Sequence, residues 1–228
     1  MLLKVNFAND GNPEILIFKL CFFDNFFQIE NIFSPKEPTQ NNSVKYLLYV
    51  GRLSDPRKNI RLLYDAFSIV QKSFPEVELW MVGKNTDEEK TNFFGSNVIT
   101  QTNIKILGEI EWEELLDIYK NASILLIPSW QEGLGLTGLE AMASGIPVIS
   151  TDCGGPKDYI IDGKNGFLVP LNNPKIMADK IKALLGTDPL RIKMGKQARA
   201  TVHPRYSRES VSIDILRNLK LLDSETLN

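Results

Sequence analysis

The sequence has few of the residues that build metal and redox centres. It contains one histidine, His203, and two cysteines, Cys21 and Cys153, which lie far apart in the chain. This spacing fits neither a zinc motif nor a CxxC redox pair, and one histidine argues against a His-rich metal site or a His-based catalytic triad. We therefore interpret the chain as a reduced intracellular protein with no metal in its site, and His203 as a structural or surface residue.

The sequence also lacks a strong net charge. It has 26 basic and 28 acidic residues, which give a formal net charge of −2, and the two signs are mixed along the chain. Such a balance argues against a nucleic-acid partner and against a polybasic membrane-binding surface.

Long hydrophobic runs are missing as well. The apolar run at residues 15–27 is interrupted by Lys19 and Asp24, and it is shorter than the roughly 20 apolar residues that a membrane-spanning helix needs. Polar residues stand where the apolar core of an N-terminal signal peptide would lie. We interpret the run as a buried strand or helix, with a peripheral membrane contact as the alternative. The predicted location is cytoplasmic, with the inner face of the membrane as the alternative.

What the sequence does contain is a regular alternation of short apolar runs and amphipathic segments. It follows a polar, proline-containing linker over residues 34–43, and the apolar fraction of 43% suffices for a core. The alternation predicts an α/β fold with a Rossmann-like parallel sheet and helices on both faces. We divide the chain into a residual N-terminal segment and hinge, 1–43, and one domain, 44–228. The predicted strands cover 46–50, 77–82, 104–107, 124–127, 147–150 and 167–170, and the predicted helices cover 60–70, 112–119, 137–144, 174–185 and 206–222.

A glycine-rich loop precedes the helix predicted at 137–144. The N-terminus of a helix presents free backbone N–H groups and the positive end of the helix dipole, which suit a phosphate group. The alternative is a tight turn between strand and helix. The loop consists of Gly133, Leu134, Gly135, Leu136 and Thr137.

Two carboxylates, Glu132 and Glu140, bracket this loop. They would repel a phosphate, so they are better explained as acceptors for hydroxyl groups, and a ligand with both a diphosphate and hydroxyls is a nucleotide sugar. For Glu140 a capping box with Thr137 is a competing structural explanation. Glu132 precedes the helix in a loop, and we see no structural alternative for it.

Cations follow the first predicted strand of the domain. Arg52 comes directly after Gly51, and Lys58 lies a few residues on, next to Asn59, a candidate cap of the following helix. An arginine fork and a lysine charge suit a diphosphate, whereas the alternative is a solvated loop with ordinary surface cations. The loop at 152–156 is interpreted as a further ligand-facing loop, with a plain turn as the alternative.

Together these motifs resemble the retaining glycosyltransferases of family 4, over roughly residues 45–185. The resemblance implies the GT-B architecture, in which two Rossmann-like domains face each other across a cleft and the C-terminal one binds the nucleotide-sugar donor. It also implies retention of the anomeric configuration without a metal or other cofactor. The matching residues are Gly51-Arg52, Lys58-Asn59, the Glu132-x7-Glu140 motif, Gly154-Gly155 and 165–169.

The resemblance further implies roles for single residues. Arg52 and Lys58 would hold the donor diphosphate and stabilise the leaving group, and Glu132 would bind hydroxyls of the donor sugar; these three are the expected catalytic residues. Glu140 would bind the ribose. Backbone amides near Leu136 and Thr137 would meet the phosphates, within a donor site that also includes Gly51, Gly133, Leu134 and Gly135. The loop near the base would be Gly108, Glu109 and Ile110.

The pattern departs from the family at its N-terminal end. Residues 1–43 are too few for the acceptor-binding domain, so we expect an acceptor domain from a partner chain or a longer gene product. The functional hypothesis is a hexosyltransferase that uses a UDP-sugar, or second a GDP-sugar, in polysaccharide or lipid-linked glycan synthesis. The alternatives are a non-catalytic nucleotide-sugar-binding module and a protein-interaction fragment.

Overall fold

The structure, a computed structural model, describes residues 45–84, 103–206 and 210. The predicted N-terminal segment with its apolar run, the linker, Cys21 and nearly all of the helix predicted at 206–222 lie outside the described residues. Within them, two 3-10 turns, Pro56–Lys58 and Gly155–Asp158, accompany the strands and helices. These are β1 (Tyr46–Val50), α1 (Ile60–Gln71), β2 (Glu78–Val82), β3 (Ile104–Gly108), α2 (Trp112–Asn121), β4 (Ile124–Ile127), α3 (Leu136–Ala143), β5 (Val148–Thr151), β6 (Gly166–Val169), α4 (Pro174–Leu185) and α5 (Asp188–Arg205).

The strands of the described residues form one parallel sheet in the order β3-β2-β1-β4-β5-β6. The first of these strands, β1, lies in the middle of the sheet; the chain then proceeds outward to β3 and returns to place β4 beside β1. This reversal of direction opens a crevice at the carboxyl ends of β1 and β4, where ligands bind in sheets of this order. The predicted Rossmann-like fold is confirmed.

Helices cover both faces of the sheet, and each face has its own apolar core. Because side chains alternate along a strand, Leu47 and Tyr49 of β1 pack toward α1 and α4, whereas Tyr46 and Leu48 pack toward α2, α3 and α5. A strand buried on both faces has apolar residues at every position. This explains why the strands could be recognised as continuous apolar runs.

Helix α5 is absent from the sequence prediction, which left residues 188–205 unassigned. Its fully buried side chains, Met194, Ala198 and Val202, recur every fourth residue and form a narrow stripe. The remaining positions are mostly polar or small, so the amphipathic pattern is weak. The helix packs against α3 and α4 and completes the core on the α3 side.

The predicted side-chain cap of α1 is wrong. Asn59 is the N-cap residue, but its side chain makes no capping hydrogen bond, and its backbone is left-handed with φ of 49°. The 3-10 turn before it ends at Lys58 and continues directly into α1, so Asn59 takes the conformation that joins two helical turns. Its carbonyl accepts the N–H of Leu62 at 3.0 Å instead.

Truncation of Leu63, a fully buried residue of α1, should destabilise the fold. We expect Leu63→Ala to lower the free energy of unfolding by about 2–5 kcal/mol, through lost apolar burial and the cavity left behind. Arg61→Ala on the exposed face of the same helix is the control, with a change within about 0.5 kcal/mol. Urea denaturation measures both, and equal losses would contradict this assignment of the core.

Candidate functional site

The candidate site lies at the crevice between β1 and β4. These strands pair in parallel, with Leu47 opposite Ile124 and Leu48 opposite Leu125. The loop that follows β1 and the loop that follows β4 therefore leave the same edge of the sheet side by side. All three predicted catalytic residues lie on these two loops.

An ion pair joins the two loops. Lys58 Nζ donates to Glu132 Oε1 across 2.7 Å, and Ser129 Oγ donates to the same oxygen across 2.6 Å. The side chains of Lys58 and Glu132 are 24% and 13% exposed, so solvent screens this pair less than an ordinary surface pair. The structure thus gives Glu132 a structural role, which corrects the prediction that it has none.

Backbone contacts hold the same two loops together. The 3-10 turn that ends at Lys58 is capped by Asp55, whose carboxylate accepts the Arg57 N–H across 3.0 Å. The carbonyl of Arg57 in turn accepts the N–H of Trp130 in the β4 loop across 2.7 Å. The position of Lys58 relative to the β4 loop is therefore fixed by the main chain as well as by its charge.

Arg52 lies in the loop after β1 and does not join the ion pair. It follows β1 and is exposed, and among the described residues no acceptor contacts its guanidinium. Its carbonyl accepts the hydroxyl of Tyr49 across 3.2 Å, and that hydroxyl lies 2.8 Å from where a Cβ of Gly51 would stand. The backbone of Arg52 is held in place, while its side chain extends into solvent at the edge of the crevice.

Glycine at position 135 allows the β4 loop to turn into α3. Gly135 is the N-cap residue with φ of +72°, and a Cβ there would lie 2.9 Å from the hydroxyl oxygen of Tyr159. That hydroxyl donates to the Gly135 carbonyl across 2.8 Å. Helix α3 begins at Leu136, so the N–H groups of Leu136 and Thr137 belong to its first turn, where no helical carbonyl accepts them.

The loop after β5 supports the β4 loop from the other side. Glu132 N–H donates to the Cys153 carbonyl across 2.8 Å, and its own carbonyl accepts the Gly155 N–H across 3.2 Å. A Cβ on Gly155 would fall 1.6 Å from the Gly133 carbonyl oxygen, so only glycine permits this approach. The backbone at 153–155 thus holds the Glu132 segment, whereas Gly133 and Leu134 remain exposed.

Glu140 bonds to α2 rather than to the start of its own helix. The N-cap of α3 is Gly135, which leaves Thr137 inside the first turn, so the alternative of a capping box with Thr137 does not apply. Glu140 Oε2 accepts the hydroxyl of Tyr119, a fully buried residue, across 2.7 Å. Burial raises the pKa of the Glu140 carboxyl, and the Tyr119 hydrogen bond opposes this rise only in part. Burial and the Glu140 charge together raise the pKa of Tyr119.

The predicted base loop, Gly108 to Ile110, lies at the carboxyl end of β3. The Gly108 carbonyl accepts the Gly83 N–H across 2.8 Å, and Ile110 packs against the apolar core on the α2 side. Glu109 is exposed. β3 is two strands from β1, about 10 Å away at the usual spacing. The structure therefore separates this loop from the Lys58–Glu132 pair along the same edge of the sheet.

Sequence reasoning missed the hydroxyl side chains that contact the charged groups and the backbone of the site. Ser129 lies three residues before Glu132, and its position in the loop after an apolar strand was its only available signal. Tyr119 and Tyr159 carry no local signal, because each reaches a partner distant in the chain.

Two further features were sought in the part of the chain that the structure describes. No cluster of histidine, cysteine and acidic side chains there could hold a metal ion. No helix there is long and apolar enough to cross a membrane.

Comparison with known protein families identifies relatives of this chain. The profile of the family described as "Glycosyl transferases group 1" matches residues 30–201. Phosphatidyl-myo-inositol mannosyltransferase of Mycobacterium leprae (strain TN) is 31% identical over 174 residues, which are 76% of this chain and 46% of that protein. Poly(ribitol-phosphate) alpha-N-acetylglucosaminyltransferase of Staphylococcus aureus (strain COL) is 31% identical over 215 residues, which are 90% of this chain and 43% of that protein.

A solved structure shares the fold. It is a mutant of TarM from S. aureus in complex with Fondaparinux, alpha-GlcNAc-glycerol and UDP, with a TM-score of 0.69 and 28% sequence identity. The match covers 81% of this chain and 38% of that one. The chain spans less than half the length of the curated relatives reported above.

The buried carboxyl of Glu140 should make stability depend on pH. Because its pKa is raised in the folded protein, the folded chain binds more protons than the unfolded chain between the two pKa values. The free energy of unfolding therefore falls as pH rises through that window. A glutamine at position 140 can accept the Tyr119 hydrogen bond but cannot ionise. We therefore expect the free energy of unfolding of Glu140→Gln, relative to that of the wild type, to increase from pH 4 to pH 8.

Urea denaturation at a series of pH values measures this difference. Tyr119→Phe is the matched variant: it removes the hydrogen bond that lowers the pKa of Glu140, so its stability should fall more steeply with rising pH than that of the wild type. Parallel pH profiles for wild type and Glu140→Gln would show that Glu140 ionises as freely in the folded chain as in the unfolded one.

Proposed function

This chain belongs to the glycosyl transferases group 1 family, and from that premise we propose that it is the donor half of a GT-B glycosyltransferase. It binds a nucleotide sugar at the crevice between β1 and β4, and the sugar passes to an acceptor held by a second domain. The observation that carries this proposal is the Lys58–Glu132 pair at the crevice, beside the N-terminus of α3.

The charges at the crevice suit a diphosphate. Lys58 pairs with the one carboxylate Glu132, and the same two loops also carry Arg52 and lead into the positive end of α3, so positive charge is in excess there. The lysine ammonium has three donors, of which one is used by Glu132 in this structure. Its remaining donors, the arginine fork and the first-turn N–H groups of α3 together supply the groups that recognise phosphate oxygens.

The two glutamates suit the hydroxyl groups of the same ligand. Glu132 stands at the diphosphate end and accepts from the donor sugar, as it already accepts from Lys58 and Ser129. Glu140 lies on α3 and accepts from the ribose. The base extends along the sheet edge toward Gly108, Glu109 and Ile110, a direction that fits the length of a nucleotide.

Uridine is the base that we propose first. The TarM structure to which this chain is similar contains UDP, and the match includes most of the domain. A GDP-sugar is the second candidate. The sugar follows from neither comparison, since the two reported relatives are named for the transfer of different sugars.

The transfer we propose proceeds with retention of the anomeric configuration, as in family 4. The bond between the anomeric carbon and the diphosphate oxygen breaks, the acceptor oxygen bonds to the same carbon, and the acceptor proton leaves with the nucleoside diphosphate. Lys58 and Arg52 stabilise the charge that develops on the leaving diphosphate, which is electrostatic catalysis by groups already in place.

Calorimetric titration of the chain with UDP, GDP and ADP tests the donor site, first without metal and then with Mg²⁺. We expect UDP to bind without metal. Lys58→Ala should weaken binding by about 10- to 100-fold, since it removes a charge-assisted contact and leaves Glu132 unpaired beside the diphosphate.

Arg57→Ala is the matched control for the loss of a positive charge. Arg57 adjoins Lys58, but its side chain is exposed and paired with Asp55, so affinity at 150 mM salt should change less than about twofold. A chain that binds none of the three nucleotides, or a Lys58→Ala variant that binds UDP as well as the wild type does, would overturn the proposed site.

A further inference from the structure

Ser129 is a buried residue whose hydroxyl contacts the carboxylate of Glu132. The residue is 1% exposed, and its Oγ donates to Glu132 Oε1 across 2.6 Å. Its carbonyl accepts the hydroxyl of Thr151, which is fully buried at the end of β5. A short chain of hydrogen bonds thus runs from β5 through Ser129 to the carboxylate of Glu132.

Two donors bond the same carboxylate oxygen of Glu132. The proposed function requires one of them, Lys58, to contact the diphosphate as well. Lys58 Nζ and Ser129 Oγ both bond Oε1, and among the described residues no donor contacts Oε2. When Lys58 turns its ammonium to a diphosphate, its hold on Glu132 weakens. The end of a glutamate side chain rotates freely about its last torsion, so a carboxylate held by Lys58 alone would then lose its orientation.

We propose that Ser129 is a positioning residue for the donor-sugar subsite. Its hydroxyl keeps Glu132 Oε1 in place while Lys58 contacts the diphosphate, and this leaves Oε2 to accept a sugar hydroxyl. Ser129 can serve this purpose because it is buried and tied to β5 through its own carbonyl. The ammonium of Lys58, by contrast, stands at the end of a long flexible side chain. This inference rests on the proposed function, and it assigns Ser129 no contact with the sugar itself.

The experiment compares the affinities of UDP and a UDP-sugar, because only the UDP-sugar reaches Glu132. UDP-GlcNAc and UDP-glucose are the probes, titrated into the full chain by calorimetry. In Ser129→Ala we expect the affinity for UDP to change less than twofold. The ratio of UDP-sugar to UDP affinity should fall by about five- to tenfold, the size expected for a misdirected hydrogen bond to a charged group.

Two variants separate positioning from a general loss of structure. Ser144→Ala removes another buried hydroxyl, one that donates to the backbone carbonyl of Glu140 across 3.0 Å, and it should leave the affinity ratio unchanged. Ser129→Cys keeps a weaker donor of similar size, so its ratio should lie between those of Ser129→Ala and the wild type. Melting temperatures check that every variant is folded.

The outcomes distinguish this inference from the proposed function. A wild-type chain that binds neither UDP nor a UDP-sugar overturns the proposed function and this inference with it. A wild-type chain that prefers the UDP-sugar, with an unchanged ratio in Ser129→Ala, overturns the role of Ser129 alone. An equal loss of affinity for UDP and UDP-sugar in Ser129→Ala assigns the residue a purely structural role, which also contradicts the proposal.

Discussion

The ion pair between Lys58 and Glu132 is the interaction on which the rest of the crevice depends. It connects loops 74 positions apart in the chain, and it does so where the order of the sheet reverses. Both side chains are largely withdrawn from water, so the loss of either would leave the other charge poorly solvated and unpaired. The 3-10 turn that ends at Lys58 and the hydrogen bond from the Trp130 N–H to the Arg57 carbonyl hold the main chain in an arrangement in which the two charges meet.

Backbone contacts hold Glu132 in place independently of its side chain. The strands β4 and β5 end side by side, and the loops after them approach until Glu132 pairs with Gly154 as a short parallel bridge. Such an approach excludes a side chain at Gly155, whose Cβ would overlap the Gly133 carbonyl. Glycines here therefore position a carboxylate, in addition to any contact that they allow between the backbone and a phosphate.

The sequence predicted the fold well because the central strands β1 and β4 are buried on both faces and thus form continuous apolar runs. It also placed Lys58, Glu132 and Glu140 near one edge of the sheet, since charged residues after parallel strands must gather there. It could not predict their partners. The contacts of Glu140 with Tyr119 and of Glu132 with Ser129 depend on side-chain directions that only packing determines. The side-chain cap predicted at Asn59 and the alternative of a capping box at Thr137 are both absent, because each loop enters its helix through a left-handed residue.

The two glutamates differ in a way that matters for a ligand with several hydroxyl groups. Glu132 Oε1 accepts from the Lys58 ammonium and from the Ser129 hydroxyl, so both of its partners are donors. Glu140 faces a phenol in a buried setting that raises its pKa, so its neutral form is nearer in energy. A neutral carboxyl can donate as well as accept, and a ribose diol offers both kinds of partner. In the proposed site, Glu132 is therefore an acceptor at the charged end, and Glu140 on α3 is a group that can adapt to either kind of partner, although both side chains are glutamates.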